Sequence, residues 1–203
     1  MIFRLIIGCF LILIISGCAF TPRKAEFFPV VSNKHQAWQD YQHQAIRVHQ
    51  WHIIGVVGVK KGKKAYSANL DWRQNFHQYN MDFYGPLGTG NTRIQGDQQQ
   101  AMLTTHQGKI YRAYSAEGLM EETLGWSVPV YGLLYWVRGL PVTGFPAGYK
   151  INRYGFLSHL SQQVWSIDYQ QYQSVGSHIL PQKILLKRGD LSVTLVIDDW
   201  GLH

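Results

Sequence analysis

Residues able to perform metal or cofactor chemistry occur in this chain of 203 residues, but they do not form a known site pattern. The nine histidines include no His-Glu-x-x-His motif, and the closest pair, His49 and His52, has no carboxylate next to it. Protein zinc sites need three or four such ligands at defined spacing. The sequence therefore predicts no metal site, and it offers no motif for a cofactor.

Candidate residues for acid–base or nucleophilic catalysis also lack the arrangement that such chemistry needs. Glycosidic cleavage uses two carboxyl groups on either side of the bond, whereas Glu121-Glu122 and Asp198-Asp199 are simple neighbours in sequence. The glycines of residues 85–90 have neither dinucleotide-binding spacing nor the Lys-Ser/Thr of a phosphate loop, and no Gly-x-Ser-x-Gly occurs. We expect no catalytic residues, and a cell-wall hydrolase is the least favoured class.

The amino-terminal residues have the layout of a secretory signal. Arg4 is followed by an apolar stretch from Leu5 to Ile15 and then by two small residues. As a helix this stretch would be ~16 Å long, about half of the ~30 Å hydrocarbon core of a bilayer. We therefore expect residues 1–17 to be a cleaved signal peptide.

Cys18 is the residue for which the sequence suggests a covalent modification. Ile15-Ser16-Gly17-Cys18 resembles the bacterial lipobox, in which a diacylglyceryl group is attached to the cysteine thiol before cleavage in front of it. The other cysteine, Cys9, lies in the segment that would be removed, so no disulfide can form within one mature chain. Lipidation would make the remaining thiol inert and anchor the chain to a membrane. The alternatives are an ordinary signal peptide that contains a cysteine, or an uncleaved short anchor.

The composition of the remainder limits the partners. Removal of residues 1–17 takes away one arginine and no acid, which lowers the formal charge from +7 to +6. Nucleic acid is a poor partner for an exported chain, so the positive charge could serve anionic lipid headgroups, an acidic protein, or solubility alone. The 7 tryptophans and 12 tyrosines predict a large core or an apolar ligand surface.

The hydrophobic pattern divides the chain into a short tether and one domain. Residues 18–33 contain prolines and mixed charge without a period, which predicts a tether. Residues 34–203 form the predicted domain. It starts with an amphipathic helix over 34–49, and two short apolar helices, ending near Leu124 and spanning 130–137, divide its strands into two groups. The predicted strands are 51–59, 64–72, 76–83, 91–96, 101–106, 109–114, 157–161, 164–169, 182–188 and 191–198.

Two connections between the predicted strands have unusual composition. Residues 84–89 place Leu87 between Pro86 and Gly88, which suits the tip of a stiff loop, although loop leucines often pack back into the core. Residues 60–64 carry four lysines around Gly62 and suit a solvated hairpin turn. The same lysines could steer an acidic partner or contact lipid headgroups.

These features, in this order, resemble the LolB family of outer-membrane lipoprotein receptors over nearly the whole chain. The resemblance implies a mainly β fold with a few helices, in which a strongly curved antiparallel sheet, an unclosed barrel, has its concave apolar face covered by helices. The segments that carry the resemblance are the lipobox, the Trp38 helix, the end of the Trp72 strand, 85–88, 129–131, 136–141, 165–169 and 199–200. The family commonly has Asn where this chain has Gly85, which should loosen the loop.

The resemblance also implies a non-enzymatic function. Such a receptor accepts lipoproteins from the soluble periplasmic carrier LolA, holds their acyl chains in a groove and inserts them into the outer membrane, with an exposed loop leucine that corresponds to Leu87. By this resemblance the chain is a monomer, lipid-anchored at the outer membrane and facing the periplasm, and its partners are LolA, cargo lipoproteins and outer-membrane phospholipid. Sorting to that membrane is also favoured because residue 19 is Ala rather than Asp.

Six apolar residues are the candidates for the groove, and each could equally belong to the core. They are Trp72, Phe83, Leu133, Trp136, Val137 and Trp165. The competing hypothesis is a structural lipoprotein subunit of an outer-membrane assembly complex, in which the same aromatics would form a protein interface.

Overall fold

The computed structural model describes residues 26–85 and 90–203, so the predicted signal peptide, Cys18 and the Pro86, Leu87 and Gly88 loop lie outside the described residues. The described residues form three helices and eleven strands. Their bounds are α1 Lys34–Ala45, β1 Gln50–Lys61, β2 Lys64–Asn75, β3 Gln78–Tyr84, β4 Thr92–Gly96, β5 Ala101–Thr104, β6 Ile110–Ala113, α2 Ala116–Leu124, α3 Val130–Trp136, β7 Ala147–Ile151, β8 Leu157–Gln162, β9 Trp165–Val175, β10 His178–Arg188 and β11 Leu191–Leu202.

The strands form one antiparallel sheet in the order β6-β5-β4-β3-β2-β1-β11-β10-β9-β8-β7. Two meanders, β1–β6 and β7–β11, meet where the first and last strands pair, with Val56 opposite Val196. The sheet is not closed, and β6 and β7 are its edges in the described part of the chain. The predicted fold class is therefore confirmed: mainly β, with an unclosed antiparallel sheet and three helices.

Alternating side chains decide which face of the sheet becomes the core. On β1, the alternate residues Trp51, Ile53, Gly55, Val57 and Val59 are buried, while the residues that alternate with them are more exposed. Because successive side chains of a strand point to opposite faces, these residues share one face with their counterparts on β2 and β11. This face forms the common core with the helices.

Local sequence fixes the ends of the first two helices. The side chain of Asn33 accepts a hydrogen bond from the Gln36 amide at 3.1 Å, and the Ser115 hydroxyl accepts one from the Gly118 amide at 3.1 Å. The second helix ends at Gly125, whose positive φ of 72° closes its carboxyl end. α1 stops at Ala45, four residues before the predicted end.

One strand was not predicted. β7 contains Gly148, Tyr149 and Lys150 in succession, and all three are exposed. An edge strand has neighbours on one side only, so it can form without the alternation of apolar and polar residues from which the other strands were predicted.

The described part of the predicted tether lies against the domain. The ring centroids of Phe28 and Phe156 are 5.4 Å apart in an edge arrangement, and the Val31 amide donates to the Arg153 carbonyl at 3.1 Å. Residues 26–33 therefore contact the folded domain.

Buried polar groups join α1 to the end of α3, and α3 to strand β9. The Tyr41 hydroxyl donates to the Arg138 carbonyl at 2.7 Å, and the Tyr169 hydroxyl donates to the Trp136 carbonyl at 3.0 Å. The buried Arg138 guanidinium donates to the carbonyls of Leu134 at 2.8 Å and Val48 at 2.7 Å. Burial also lowers the pKa of Arg138.

Candidate functional site

An apolar cavity of about 340 Å³ lies between the sheet and the helical segment 116–133. Its volume is within the usual range for small-molecule sites, ~300–1,000 Å³. One wall is the inward face of β1–β5 with parts of β10 and β11, and the other is α2, α3 and the segment between them. The lining side chains include Val57, Leu70, Trp72, Met81, Ile94, Leu103 and Leu195 from the sheet, and Met120, Trp126, Val128, Val130 and Leu133 from the helical side.

The cavity has its exposed lining at the end where β1 and β2 are joined. Tyr66, near the start of β2, is 41% exposed, and Leu124, at the end of α2, is 50% exposed. Gly90, which follows β3 on the way to β4, also belongs to the lining. We call this end, defined by these three residues, the cavity mouth.

The polar atoms of the wall are largely satisfied by the protein itself. The Trp72 indole N–H donates to the Gln74 side chain at 3.1 Å, and the Thr123 hydroxyl donates to the Leu119 carbonyl. Among the described lining residues no Asp, Glu, Lys, Arg or His occurs. Such a surface excludes charged ligands by their desolvation cost and favours hydrocarbon.

The described residues provide neither a metal-ligand cluster nor a membrane-spanning helix. Across residues 26–85 and 90–203, no group of three or more His, Cys, Asp or Glu side chains is placed to hold a metal ion. Within the same ranges no helix is long and apolar enough to span a bilayer.

Comparison with known proteins identifies the family. The family model described as outer membrane lipoprotein LolB matches residues 49–200. This chain belongs to the LolB family. The resemblance stated from the sequence is thus confirmed, and membership supports a role as an outer-membrane lipoprotein receptor rather than an enzyme.

Relatives in the LolB family match almost the entire chain. The outer-membrane lipoprotein LolB of Francisella tularensis subsp. tularensis (strain FSC 198) is 35% identical over 201 residues, which cover 98% of this chain and 95% of the relative. The LolB protein of Pseudomonas aeruginosa (strain LESB58) is 34% identical over 198 residues, which cover 97% and 95%. The outer membrane is therefore the location that the family supports for this chain.

Solved structures with little sequence identity share the fold. A LolA-superfamily protein of Nitrosomonas europaea superposes with a TM-score of 0.56 at 8% identity and covers 83% of this chain and 93% of its own. A DUF1329-family protein of Desulfovibrio piger superposes with a TM-score of 0.58 at 6% identity, covering 87% and 94%. The unclosed sheet with its helices is thus shared well beyond the LolB family.

The six residues predicted for the groove separate into two groups in this LolB-family chain. Trp72, Phe83 and Leu133 line the cavity. Trp136 and Val137, both fully buried, and Trp165 are not among its lining residues and belong to the core.

The two core tryptophans have their own partners away from the cavity. The indole N–H of Trp136 donates to the Gln162 side chain at 3.1 Å, and the Arg188 guanidinium lies 4.9 Å from the centroid of a Trp165 ring. Their contacts therefore fix α3 and the strands around it.

Most aliphatic residues of the cavity wall were not predicted. Val57, Leu70, Met81 and Ile94 have the inward alternation that was visible in the sequence, and they lie on the same face as Trp72. That alternation identifies the buried face of each strand. It does not show where the helices leave space above that face.

A second, wider depression of about 1360 Å³ lies among β2–β6, and most of its lining residues are polar. Its lining includes Arg73, Asn80 and Gln95, which pair across β2, β3 and β4, and Arg112 on β6, which is separated from Gln95 by Met102 on β5. Amide and guanidinium groups favour water or polar chains over hydrocarbon. The smaller apolar cavity is therefore the candidate site.

Proposed function

We propose that this chain accepts lipoproteins from the soluble periplasmic carrier LolA, holds their acyl chains in the apolar cavity and inserts them into the outer membrane. The observation that carries this proposal is the 340 Å³ cavity, whose described lining contains no charged side chain. Each methylene that leaves water contributes ~0.8 kcal/mol, so an acyl chain gains strongly from such a wall.

Transfer in one direction needs no chemical energy under this proposal. Cargo moves from carrier to receptor if the receptor cavity binds the acyl chain more tightly than the carrier does. It then moves to the bilayer if hydrocarbon is a still better environment. The protein's task is to offer a dry surface and an exit next to the membrane, which agrees with the absence of catalytic groups among the described lining residues.

The anchor and the tether place this cavity at the membrane in our proposal. Lipid on Cys18 would hold the chain on the periplasmic side of the outer membrane, with residues 18–33 as the connection and the domain acting as a monomer. The match to outer-membrane lipoproteins supports this arrangement.

Leu87 is the residue that we propose to enter the bilayer during delivery, between Pro86 and Gly88. Support comes from the residues on either side: Phe83 pairs with Thr92, and Gly90 is part of the cavity lining. The connection between β3 and β4 therefore begins and ends next to the cavity mouth.

The cavity is tested by a matched pair of substitutions on one strand. Val57 lines the cavity, whereas Val56 lies on the opposite face and is 37% exposed. Val57→Phe should fill part of the cavity and lower the amount of fluorescent lipoprotein that LolA transfers to the full-length chain, while Val56→Phe should leave transfer unchanged. Equal transfer to both variants, or a stable stoichiometric complex with other membrane proteins instead of cargo transfer, would contradict the proposal.

The loop is tested separately from the cavity. Leu87→Glu should leave transfer from LolA to the chain intact and block insertion of the cargo into liposomes, because a carboxylate is costly to place in hydrocarbon. Val56→Glu serves as the control on the outer face of β1. Normal insertion by the Leu87→Glu protein would remove the role assigned to the loop.

A further inference from the structure

The topology gathers positive charge at one end of the sheet, next to the cavity mouth. Residues 60–64 contain four lysines at the β1–β2 turn, and residues 187–190 contain Lys187, Arg188 and one acid, Asp190, at the β10–β11 turn. We call these two segments together the double-hairpin tip. Six cations and one acid therefore occupy two turns of the molecule.

Strand pairing places the two turns side by side. Lys61 is opposite both Lys64 and Leu191, and the Gly62 amide donates to the Asp190 carbonyl at 3.3 Å. Gly62 and Gly189 have φ values of 57° and 58°, as the first residue of a type II′ hairpin turn requires. The tip is thus a single, locally ordered structure.

The tip projects beyond the neighbouring strand. β3 ends where Tyr84 pairs with Asn69, so residues 64–68 of β2 have no partner on that side in the described chain. At ~3.3 Å per residue, five residues extend about 16 Å. The lysines at the turn are therefore among the outermost groups at this end.

Three of the lysines carry charge that the protein does not neutralise. Lys61 binds Asp190, with 2.6 Å between the ammonium nitrogen and a carboxylate oxygen. Lys60, Lys63 and Lys64 are exposed and form no ion pair with any residue of 26–85 or 90–203. The tip therefore presents net positive charge to its surroundings.

Exposed apolar groups accompany this charge. Tyr66 follows Lys64 by two residues on the same face of β2, lines the cavity and is 41% exposed. Val164, in the β8–β9 turn at the same end of the sheet, is 70% exposed. Aromatic and aliphatic groups beside lysines suit the interface between lipid headgroups and hydrocarbon.

We propose that the double-hairpin tip binds anionic phospholipid headgroups and so holds the cavity mouth against the bilayer that receives the cargo. This rests on the proposed function only in requiring that the chain act at a membrane. A bilayer suits the tip better than an acidic protein because flexible lysines act as point charges without a fixed fork geometry, and the neighbouring apolar groups can enter lipid.

The test uses the full-length chain in liposomes, without carrier or cargo. A fluorophore on Ala65→Cys, an exposed position between Lys64 and Tyr66, reports contact through quenching by nitroxide-labelled headgroups. As a control, the chain with Ala65 unchanged is treated with the same fluorophore. Its fluorescence measures how much label attaches at positions other than residue 65. Liposomes of phosphatidylcholine alone are compared with liposomes that also contain phosphatidylglycerol, at low and high salt.

We expect stronger quenching in the anionic liposomes and its loss at high salt. A lysine near an anionic surface contributes about fivefold to the docked population, so Lys60→Gln, Lys63→Gln and Lys64→Gln combined should reduce the docked-to-undocked ratio about 100-fold. The matched control combines Lys34→Gln, Arg47→Gln and Lys150→Gln, three exposed cations on α1, after α1 and on β7. It changes the net charge equally and should retain quenching.

The proposal is overturned if quenching is equal in both kinds of liposome. It is also overturned if the combined Lys60→Gln, Lys63→Gln and Lys64→Gln variant and the control variant lose quenching equally. It is also overturned if the variant that lacks Lys60, Lys63 and Lys64 keeps its quenching in anionic liposomes. If that variant also accepts cargo more slowly from LolA in a separate transfer assay, the lysines serve an acidic protein instead. Since quenching is measured without cargo, its failure is distinguishable from failure of lipoprotein transfer.

Discussion

The two halves of the molecule use similar apolar residues and reach opposite results. In the packed half, which consists of α1, α3 and β7–β9, aromatic rings fill the space under the helices: the ring centroids of Phe156 and Tyr172 are 4.9 Å apart, and those of Trp38 and Tyr41 are 5.6 Å apart. In the cavity half, which consists of α2 and β1–β5, Trp72 and Phe83 line a void instead. Aromatic content alone therefore does not distinguish a core from a binding site.

Polar anchoring of the covering helices differs between the halves. α3 is fixed by Arg138, by the Tyr169 hydroxyl and by the bond from Trp136 to Gln162. Within residues 26–85 and 90–203, the longest-range polar contact of α2 is the hydrogen bond that the Val130 amide donates to the Glu117 carboxylate, at 2.6 Å and only 13 residues apart. We infer that α2, which covers the cavity, has the lower local stability of the two helices, which agrees with the proposed entry of an acyl chain.

Among the substitutions that test this difference between the halves, removal of the Arg138 guanidinium should cause the largest loss of stability. Arg138→Met would leave the buried carbonyls of Leu134 and Val48 without their donor, at a cost of about 3–5 kcal/mol in the free energy of unfolding. Urea denaturation of the purified protein measures this loss. Arg47→Met, at an exposed arginine, is the control, and a loss below about 1 kcal/mol for Arg138→Met would show that the packed half does not depend on this anchor.

Truncation of one leucine in the packed half, and of one on the side of α3 that forms the cavity wall, should sharpen the comparison. Leu157 is fully buried on β8, whereas Leu133 is only partly buried and faces the cavity. Leu157→Ala should cost about 3 kcal/mol in the free energy of unfolding, and Leu133→Ala about 1 kcal/mol, because Leu133 already adjoins empty space. Equal losses in urea denaturation would mean that the cavity wall is packed as tightly as the core.

Much of the fold followed from local sequence, because alternation and capping are local properties. The strand predicted at 51–59 and the helix predicted to end near Leu124 correspond to β1 and α2 of the structure. β7 was missed because an exposed edge strand has no alternation to detect.

The site was harder to predict because its position depends on distant contacts. Trp136 and Trp72 both lie within predicted helices or strands and are both buried. What separates them is a hydrogen bond between Trp136 and Gln162, 26 residues away, and the space that α2 leaves above β2. Neither feature has a signature within a single helix or strand.

The packed half should also be the more sensitive to alkali. Burial raises the pKa values of Tyr41, Tyr169 and Tyr172 above the usual value near 10. The folded state keeps these protons where the unfolded chain loses them, so stability is unaffected below pH 10 and falls above it, by about 1.4 kcal/mol per pH unit and tyrosine. In the cavity half, burial raises the pKa of Tyr79 to about 12. The cavity half therefore contributes one such tyrosine to the loss of stability at high pH, against three from the packed half.

Tyr172→Phe isolates one of these contributions. The hydroxyl of Tyr172 donates to the Leu157 carbonyl at 2.9 Å, so its removal should lower the free energy of unfolding by about 1 kcal/mol at neutral pH. Above pH 10, the free energy of unfolding of this variant should fall less steeply with pH, by the contribution of one tyrosine. Denaturation series between neutral pH and pH 11 measure both quantities. An unchanged slope would show that this hydroxyl already ionises in the folded protein.

The smallest expected effect compares one turn from each half. Gln163, between β8 and β9, and Phe76, between β2 and β3, both have positive φ, 54° and 52°, which is strained for residues with a side chain. Gln163→Gly should stabilise the protein by about 0.5 kcal/mol. The exposed Gln163 side chain forms no hydrogen bond with residues 26–85 or 90–203, and glycine's extra entropy in the unfolded chain offsets part of the gain. Phe76→Gly should gain less, because the Phe76 ring stacks on His49 at 5.5 Å between centroids. Equal gains in thermal unfolding would mean that this stacking does not stabilise the turn of the cavity half.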